Sequence, residues 1–263
     1  MSAVDRGAAA APGAGSGPGA LRVLTWNVHG LRAGADAVAQ VLRDARCDVA
    51  LLQEGPRGLR AVPRSADLAR RSGLLVGAAG RPAAGCLVLV AARVHVHRSV
   101  VTALPVRGAT TPVRGVAGAV VSLPGGPSTA VVSVHLGLTA GERADHVRRL
   151  GPVVDGLEEA VPEARDGGRA ALVVGGDLNE AAGGPAWSAL LPGGTDCWSA
   201  VREGDALGAT FPARRPRTRI DGVLVRGGLR PRTADVVGPG PASDHRPLVV
   251  ELVAPPEPAG RGT

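Results

Sequence analysis

Two histidines, four acids and two asparagines fall where apolar strands begin or end, and these are the side chains able to do chemistry. Asn27 closes "LRVLTWN", Glu54 follows "VALLQ", and His135 closes "AVVSVH". Asp177 and Asn179 lie just past "ALVVGG", and Asp221 opens "DGVLV". Asp244 and His245 lead into "PLVVELV" through the polar run "SDHR". Carboxylates and amides are hard oxygen donors, and without sulfur among them they favour Mg²⁺ or Mn²⁺ over zinc. Magnesium takes few carboxylates and fills its shell with water and substrate phosphate. Imidazoles move protons near neutral pH. Together these groups suit metal-assisted attack of water on a phosphate ester.

Each residue also has a plainer reading. Asn27 could cap a turn, Glu54 could pair with Arg57 at the surface, and "GGDLN" could be a flexible turn. His135 could be a satisfied core histidine, and Asp221 could balance Arg219. The chemical reading gains its weight from the coincidence at six strand ends in one chain. In a mixed sheet the exits of some strands meet the entrances of others along one edge, where binding sites form.

The elements that position this set follow from periodicity. Alternating or continuous apolar runs predict strands at 21–28, 48–54, 74–78, 86–92, 94–104, 114–123, 129–136, 220–225, 233–237 and 247–253, and a strand then a turn over 169–180. Helical spacing marks 35–47, 56–72, 140–161 and 185–191, with Pro152 expected to break or kink the third. Hairpins mix with crossovers, and no linker or repeat divides the chain. This predicts one domain over 21–253, an α/β layered sandwich with mixed sheets, between Ala/Gly/Pro-rich tails at 1–20 and 254–263 that are expected to be disordered.

Composition bounds the partners. The 263 residues are 44% apolar, enough for a large core, and no run approaches a membrane span. The N-terminus lacks the basic start and continuous apolar stretch of a signal peptide, so a cytoplasmic location is expected; a monomer is also expected. Three isolated cysteines support neither disulfides nor a zinc cluster, and a core position is expected for each. The net charge is +7, with arginine as every basic residue. That balance suits a phosphate-bearing partner, although codon bias alone would produce it. Aromatics are 2% with no tyrosine, which leaves backbone contacts rather than base stacking for any nucleic acid. His95 and His97 share a strand face and are expected to face solvent; Trp26, Trp187 and Trp198 are expected in the core or at its rim.

The motifs "TWNVHG", "LLQE", "VSVHLG", "GGDLNE", "RIDGVLV" and "SDHRPLVVEL", in this order over about residues 21–253, resemble the endonuclease/exonuclease/phosphatase superfamily. The resemblance implies a DNase I-like four-layer sandwich, two mixed sheets face to face with helices outside. It also implies hydrolysis of phosphodiesters or phosphomonoesters with a divalent metal, usually Mg²⁺. Carried over by motif, Glu54 is the main metal carboxylate, with Asn27 and Asp244 close to the metal or its water. His245 is the catalytic histidine and Asp221 the carboxylate that orients it. Asp177 positions or deprotonates the water, a role that accounts of the family divide between it and His245. Asn179 hydrogen-bonds a phosphate oxygen. His135 takes the second-histidine position, where a protonated imidazole stabilises the transition state or leaving oxygen. Arg114 in "TPVRGVAGAV" reads equally as a phosphate-holding arginine and as a strand-start surface charge.

Two departures stand out. The acid that supports the second histidine in many relatives is missing from "GAAGRPAAGCLVLV", where Cys86 replaces a frequent asparagine. The abasic-site repair branch uses a tyrosine at His135, which argues against that branch; secreted sphingomyelinase-like members carry export signals and aromatic hairpins not seen here. The expected activity is a phosphodiesterase or nuclease. Hydrolysis of a small phosphorylated metabolite, nucleotide or lipid headgroup is the alternative, and a non-catalytic phosphate-binding protein is a third.

Overall fold

Strand alternation builds both faces of each sheet. In β1 (Ala20–Asn27), Leu21 and Val23 face one side, while Leu24 and Trp26 face the other, and all four are buried. The computed structural model describes residues 19–108, 112–162, 170–202 and 207–254. β1 runs parallel to β2 (Val49–Gln53) and antiparallel to β12 (Leu248–Val253). With β3 (Leu75–Ala78), β4 (Leu87–Val90) and β11 (Arg230–Val236) they form a six-stranded sheet, ordered β11-β12-β1-β2-β4-β3.

A second six-stranded sheet is ordered β5-β6-β7-β8-β10-β9. It comprises β5 (His95–Ala103), β6 (Gly115–Ser122), β7 (Thr129–His135), β8 (Ala171–Asp177), β9 (Thr195–Asp196) and β10 (Asp221–Arg226). Its β7 and β8 are parallel, as β1 and β2 are in the first sheet; the neighbouring pairs are antiparallel. Inward residues such as Val23, Leu51, Val88, Val131, Val173 and Val250 pack between the sheets. Helices α1 (Ala35–Ala45) and α2 (Ala61–Ser72) cover the outer face of the first sheet through Val38, Leu42 and Leu68. Helices α3 (Ala140–Glu158) and α4 (Pro185–Leu190) cover the second through Leu150, Val154, Leu157 and Trp187. This is the mixed-sheet layered sandwich expected from the strand pattern, with the four layers that the resemblance implies.

Three expectations change. α3 runs unbroken through Pro152, because its apolar stripe stays on the sheet on both sides of the proline. The two-residue β9 and the short α5 (Cys197–Val201) carry no periodic signal, and sequence reading misses both. Ala20, assigned to the tail, pairs with Val253 in β1. The rest of the two tails lies outside the described residues, apart from Gly19 and Ala254. Cys47, Cys86 and Cys197 are buried free thiols, and His95 and His97 are exposed with stacked rings, as read from the sequence. Among the described residues, no helix is long and apolar enough to cross a membrane.

Candidate active site

Register brings the polar strand ends together. The last pairs of the two parallel units are Asn27 with Gln53 and His135 with Asp177, and antiparallel β10 sets Asp221 opposite Asp177. Inter-sheet contacts bring the units face to face. Gln53 Nε2 donates to Ser133 Oγ at 3.0 Å, and Asn27 Nδ2 donates across to Asp177 Oδ2 at 3.0 Å. The same amide reaches Glu54 Oε1 at 3.3 Å, so Asn27 spans two carboxylates while its Oδ1 accepts from the His29 backbone. Glu54 sits in the left-handed region at φ 52°, as does Asn179 at φ 49°. Such backbone is costly for Glu54, while asparagine adopts it readily; for glutamate it is the kind of strain that collects at functional sites.

His245 is held from every side. Its Nδ1 meets Asp221 Oδ2 at 2.9 Å, and its Nε2 points to Asp177 Oδ2 at 3.7 Å. Its backbone N–H donates to Ser243 Oγ, which itself donates to the Asn27 carbonyl at 2.7 Å. The Trp26 indole N–H donates to the His245 carbonyl at 3.0 Å, and the Phe211 ring lies against the imidazole at 4.8 Å. Arg246 donates to the Ala213 carbonyl, serving the turn. The four-residue polar run thus fastens the entrance of β12 to the end of β1.

The competing pairings do not form. Arg219 forks onto both oxygens of Asp196 (3.0 and 2.5 Å) and stacks over Trp187, leaving Asp221 for His245. Glu54 turns to Asn27, and among the described residues Arg57 makes no ion pair with it. Asp244 stands half-exposed at the rim, 3.3 Å from His29 Nδ1. Asn179 donates its amide to the Leu136 carbonyl, and its backbone N–H donates to Asp177 Oδ1, both at 3.0 Å.

His135 is where the structure corrects expectation. Its Nε2 lies 3.4 Å from Asp177 Oδ2, so it has a carboxylate neighbour after all. Its Nδ1 meets Arg114 Nη1 at 3.2 Å, so it accepts, and the ring proton sits on Nε2. Burial, then Arg114 and Arg57, push its pKa well below the usual value, so it is a neutral donor and not the imidazolium implied by resemblance. Arg114 is buried against it, which rules out the surface-charge reading.

Charge is distributed unequally among the others. Burial and then Asp221 raise the Asp177 carboxyl to about 6. For His245, burial lowers the pKa, but Asp221, by charge and hydrogen bond, and then Asp177 outweigh it, giving about 9. Asp221 Oδ1 is buried with no partner among the described residues, which leaves the imidazolium as that carboxylate's close counter-charge. Asp177, Asp221 and His245 place ligand-type atoms within 4.8 Å of one another. The 2.9 Å hydrogen bond marks two of them as an acid–imidazole pair. Sequence reading missed Trp26, Phe211 and Ser243 as supports; only the extra polar residue in "SDHR" hinted at any of them.

The profile of the Endonuclease/Exonuclease/phosphatase family matches residues 24–245, and the chain belongs to that family. Its fold is shared with solved structures of low identity. A family member from Bacteroides thetaiotaomicron superposes at TM-score 0.72 with 15% identity, covering 92% of this chain and 100% of that one. The mannosyl-6-phosphatase Bt3783 of the same organism gives 0.71 at 16% identity, covering 89% and 99%. D. rerio TDP2 complexed with single-strand DNA product gives 0.66 at 21% identity, covering 89% and 98%. No curated protein sequence matches the chain. Members of this family are phosphoesterase hydrolases, and this chain is an enzyme of that kind.

Proposed function

We propose that the chain hydrolyses phosphodiesters with a divalent cation, Mg²⁺ or Mn²⁺, and that nucleic acid is its substrate class. The observation that carries this reading is the Asp221–His245 pair at 2.9 Å facing Asp177 across 3.7 Å, beside the half-buried Glu54. The donor set fits a hard cation, since the Glu54 and Asp244 carboxylates offer only oxygen ligands. Glu54 would hold the ion, with Asp244 and Asn27 beside it. The ion would supply charge for a phosphate oxygen and a more acidic water.

The protein groups divide the remaining work. With a pKa of about 6, Asp177 is ionised at neutral pH and is the group able to orient and deprotonate water. With a pKa of about 9, His245 is protonated and donates Nε2–H toward a phosphate oxygen, while Asp221 fixes its direction. This order favours Asp177 over His245 for the role that accounts of the family divide. His135 adds a neutral donor, and Arg114 behind it contributes charge to the phosphate. The Asn179 amide keeps a second N–H for a phosphate oxygen.

The diester reading draws on the arginine-rich surface and on the fold shared with TDP2 bound to a DNA product. A monoesterase acting on a small phosphorylated compound is the second reading, favoured by the similarity to mannosyl-6-phosphatase. Purified protein with oligonucleotides, bis-p-nitrophenyl phosphate and p-nitrophenyl phosphate, with and without Mg²⁺ or Mn²⁺, separates the two. Metal-dependent diester cleavage lost in both Glu54→Gln and His245→Ala is expected. Monoester turnover alone moves the assignment to the second reading, and inactivity on all three rejects the first.

A further inference from the structure

Arg57 is left over by the site as described. It stands three residues after Glu54, exposed, and among the described residues it forms no hydrogen bond or ion pair. Its side chain lies over the Gly85 backbone: a Cβ at Gly85 would come within 2.7 Å of Arg57 Nε and 3.2 Å of its Cγ. The Gly55 N–H donates to the Gly85 carbonyl at 2.8 Å and fixes this floor to the turn that carries Glu54. Cys86, next in the chain, donates to the carbonyl of Gly115, which adjoins Arg114. Arg57, in the loop after β2, and Arg114, just before β6 of the other sheet, each act electrostatically on the His135 imidazole. The two differ in exposure. Arg114 is buried against the imidazole at the reacting end, whereas Arg57 opens outward to solvent.

We propose that Arg57 is a specificity-determining residue that binds a second phosphate of the substrate, the one next to the scissile phosphate. Arg57 and Arg114 repel each other, Asp177 and Glu54 act on Arg114 against that repulsion, and an anion at the exposed Arg57 relieves what remains. Because Arg57 is exposed over the Gly85 backbone whereas Arg114 is buried against His135, the anion that Arg57 meets is a neighbouring group rather than the reacting one. A substrate with successive phosphates supplies such a group, whether a polynucleotide or a small bisphosphate. This inference rests on the phosphodiesterase reading for the identity of the scissile group.

Binding and cleavage test the two readings separately. Fluorescence anisotropy with a labelled oligothymidylate, in EDTA, should show Arg57→Ala binding about tenfold more weakly, as for loss of one charged hydrogen bond. Arg57→Lys should recover part of that loss, and the salt dependence should become shallower in the alanine variant. An oligothymidylate with neutral methylphosphonates in place of phosphates should bind the wild type more weakly, yet bind wild type and Arg57→Ala alike. Competition by a nucleoside bisphosphate as strong as that of the oligonucleotide would assign the small bisphosphate as the source. Equal binding of the natural oligonucleotide by wild type and Arg57→Ala overturns the inference. In the cleavage arm, the KM of the oligonucleotide should rise more than that of bis-p-nitrophenyl phosphate, which has one phosphate. Equal losses of kcat on both would place Arg57 in the reaction itself and also overturn the inference. A wild type that binds the oligonucleotide through Arg57 but cleaves no diester rejects the phosphodiesterase reading alone.

Discussion

At the residue scale, the proposed reaction depends on the His245 imidazole kept charged and aimed by the buried Asp221 carboxylate. Replacing His245 with alanine should lower kcat/KM about 10²–10⁴-fold, the usual worth of a positioned proton donor. Asp221→Asn keeps the shape but removes the charge, and it should bring the His245 pKa, followed by NMR titration, down from about 9. The same group makes stability depend on pH. Its folded value of about 9 exceeds the ordinary 6.5, so the folded chain keeps a proton that the unfolded chain releases between those values. That contribution is complete below about 6.5 and is lost as pH rises through about 9. Denaturant melts in EDTA should therefore show stability falling across this window, with a shallower slope in His245→Gln. Asp177 has the same sign over a lower window, from the ordinary 3.8 to about 6, because burial opposes its charge.

At the element scale, strand ends and helix starts hold the loops. Arg143, in the first turns of α3, donates to the carbonyls of Leu138 (2.8 Å) and Asn179 (3.2 Å) and pairs with Glu180 at 3.0 Å. One side chain thus fastens the exit loops of β7 and β8 to each other. Arg143→Ala should cost about 1–3 kcal/mol in chemical denaturation, since charged hydrogen bonds to carbonyls are lost together. Between those strands, Gly176 leaves no room, because a Cβ there would run into the Val134 carbonyl oxygen. Gly176→Ala should destabilise by about 3 kcal/mol and separate His135 from Asp177. These strands were legible in the sequence because both faces are buried and their apolar runs are continuous. β9 and α5 were not, since two and five residues carry no period; yet Asp196, which draws Arg219 away from Asp221, belongs to β9.

At the scale of the molecule, the site lies where two sheets meet, and no single layer contains it. Gln53 marks this dependence. Fully buried, it donates from the first sheet to Ser133 of the second at 3.0 Å, and Ser133 returns a bond to the Leu52 carbonyl at 2.8 Å. A cation bound between the layers should fasten them further. Millimolar Mg²⁺ or Mn²⁺ at about 100 times its dissociation constant would add about 2.7 kcal/mol. The thermal midpoint should rise in the wild type and rise much less in Glu54→Gln. No shift in the wild type would count against a divalent site at Glu54.

The sequence by itself determined which segments are strands, the two-residue β9 excepted, and which polar groups stand at their ends. Strand periodicity is local, and a change from apolar to polar marks where a strand leaves the core. It could not decide which polar groups touch. Arg57 and Arg219 are the nearest basic residues to Glu54 and Asp221 along the chain, and neither ends up as that acid's partner. His245 finds Asp221 across 24 residues, and Asn27 finds Asp177 across 150. Only the stacking of the two sheets made those choices, because alternation fixes the face a side chain occupies and leaves its neighbour across the interface open.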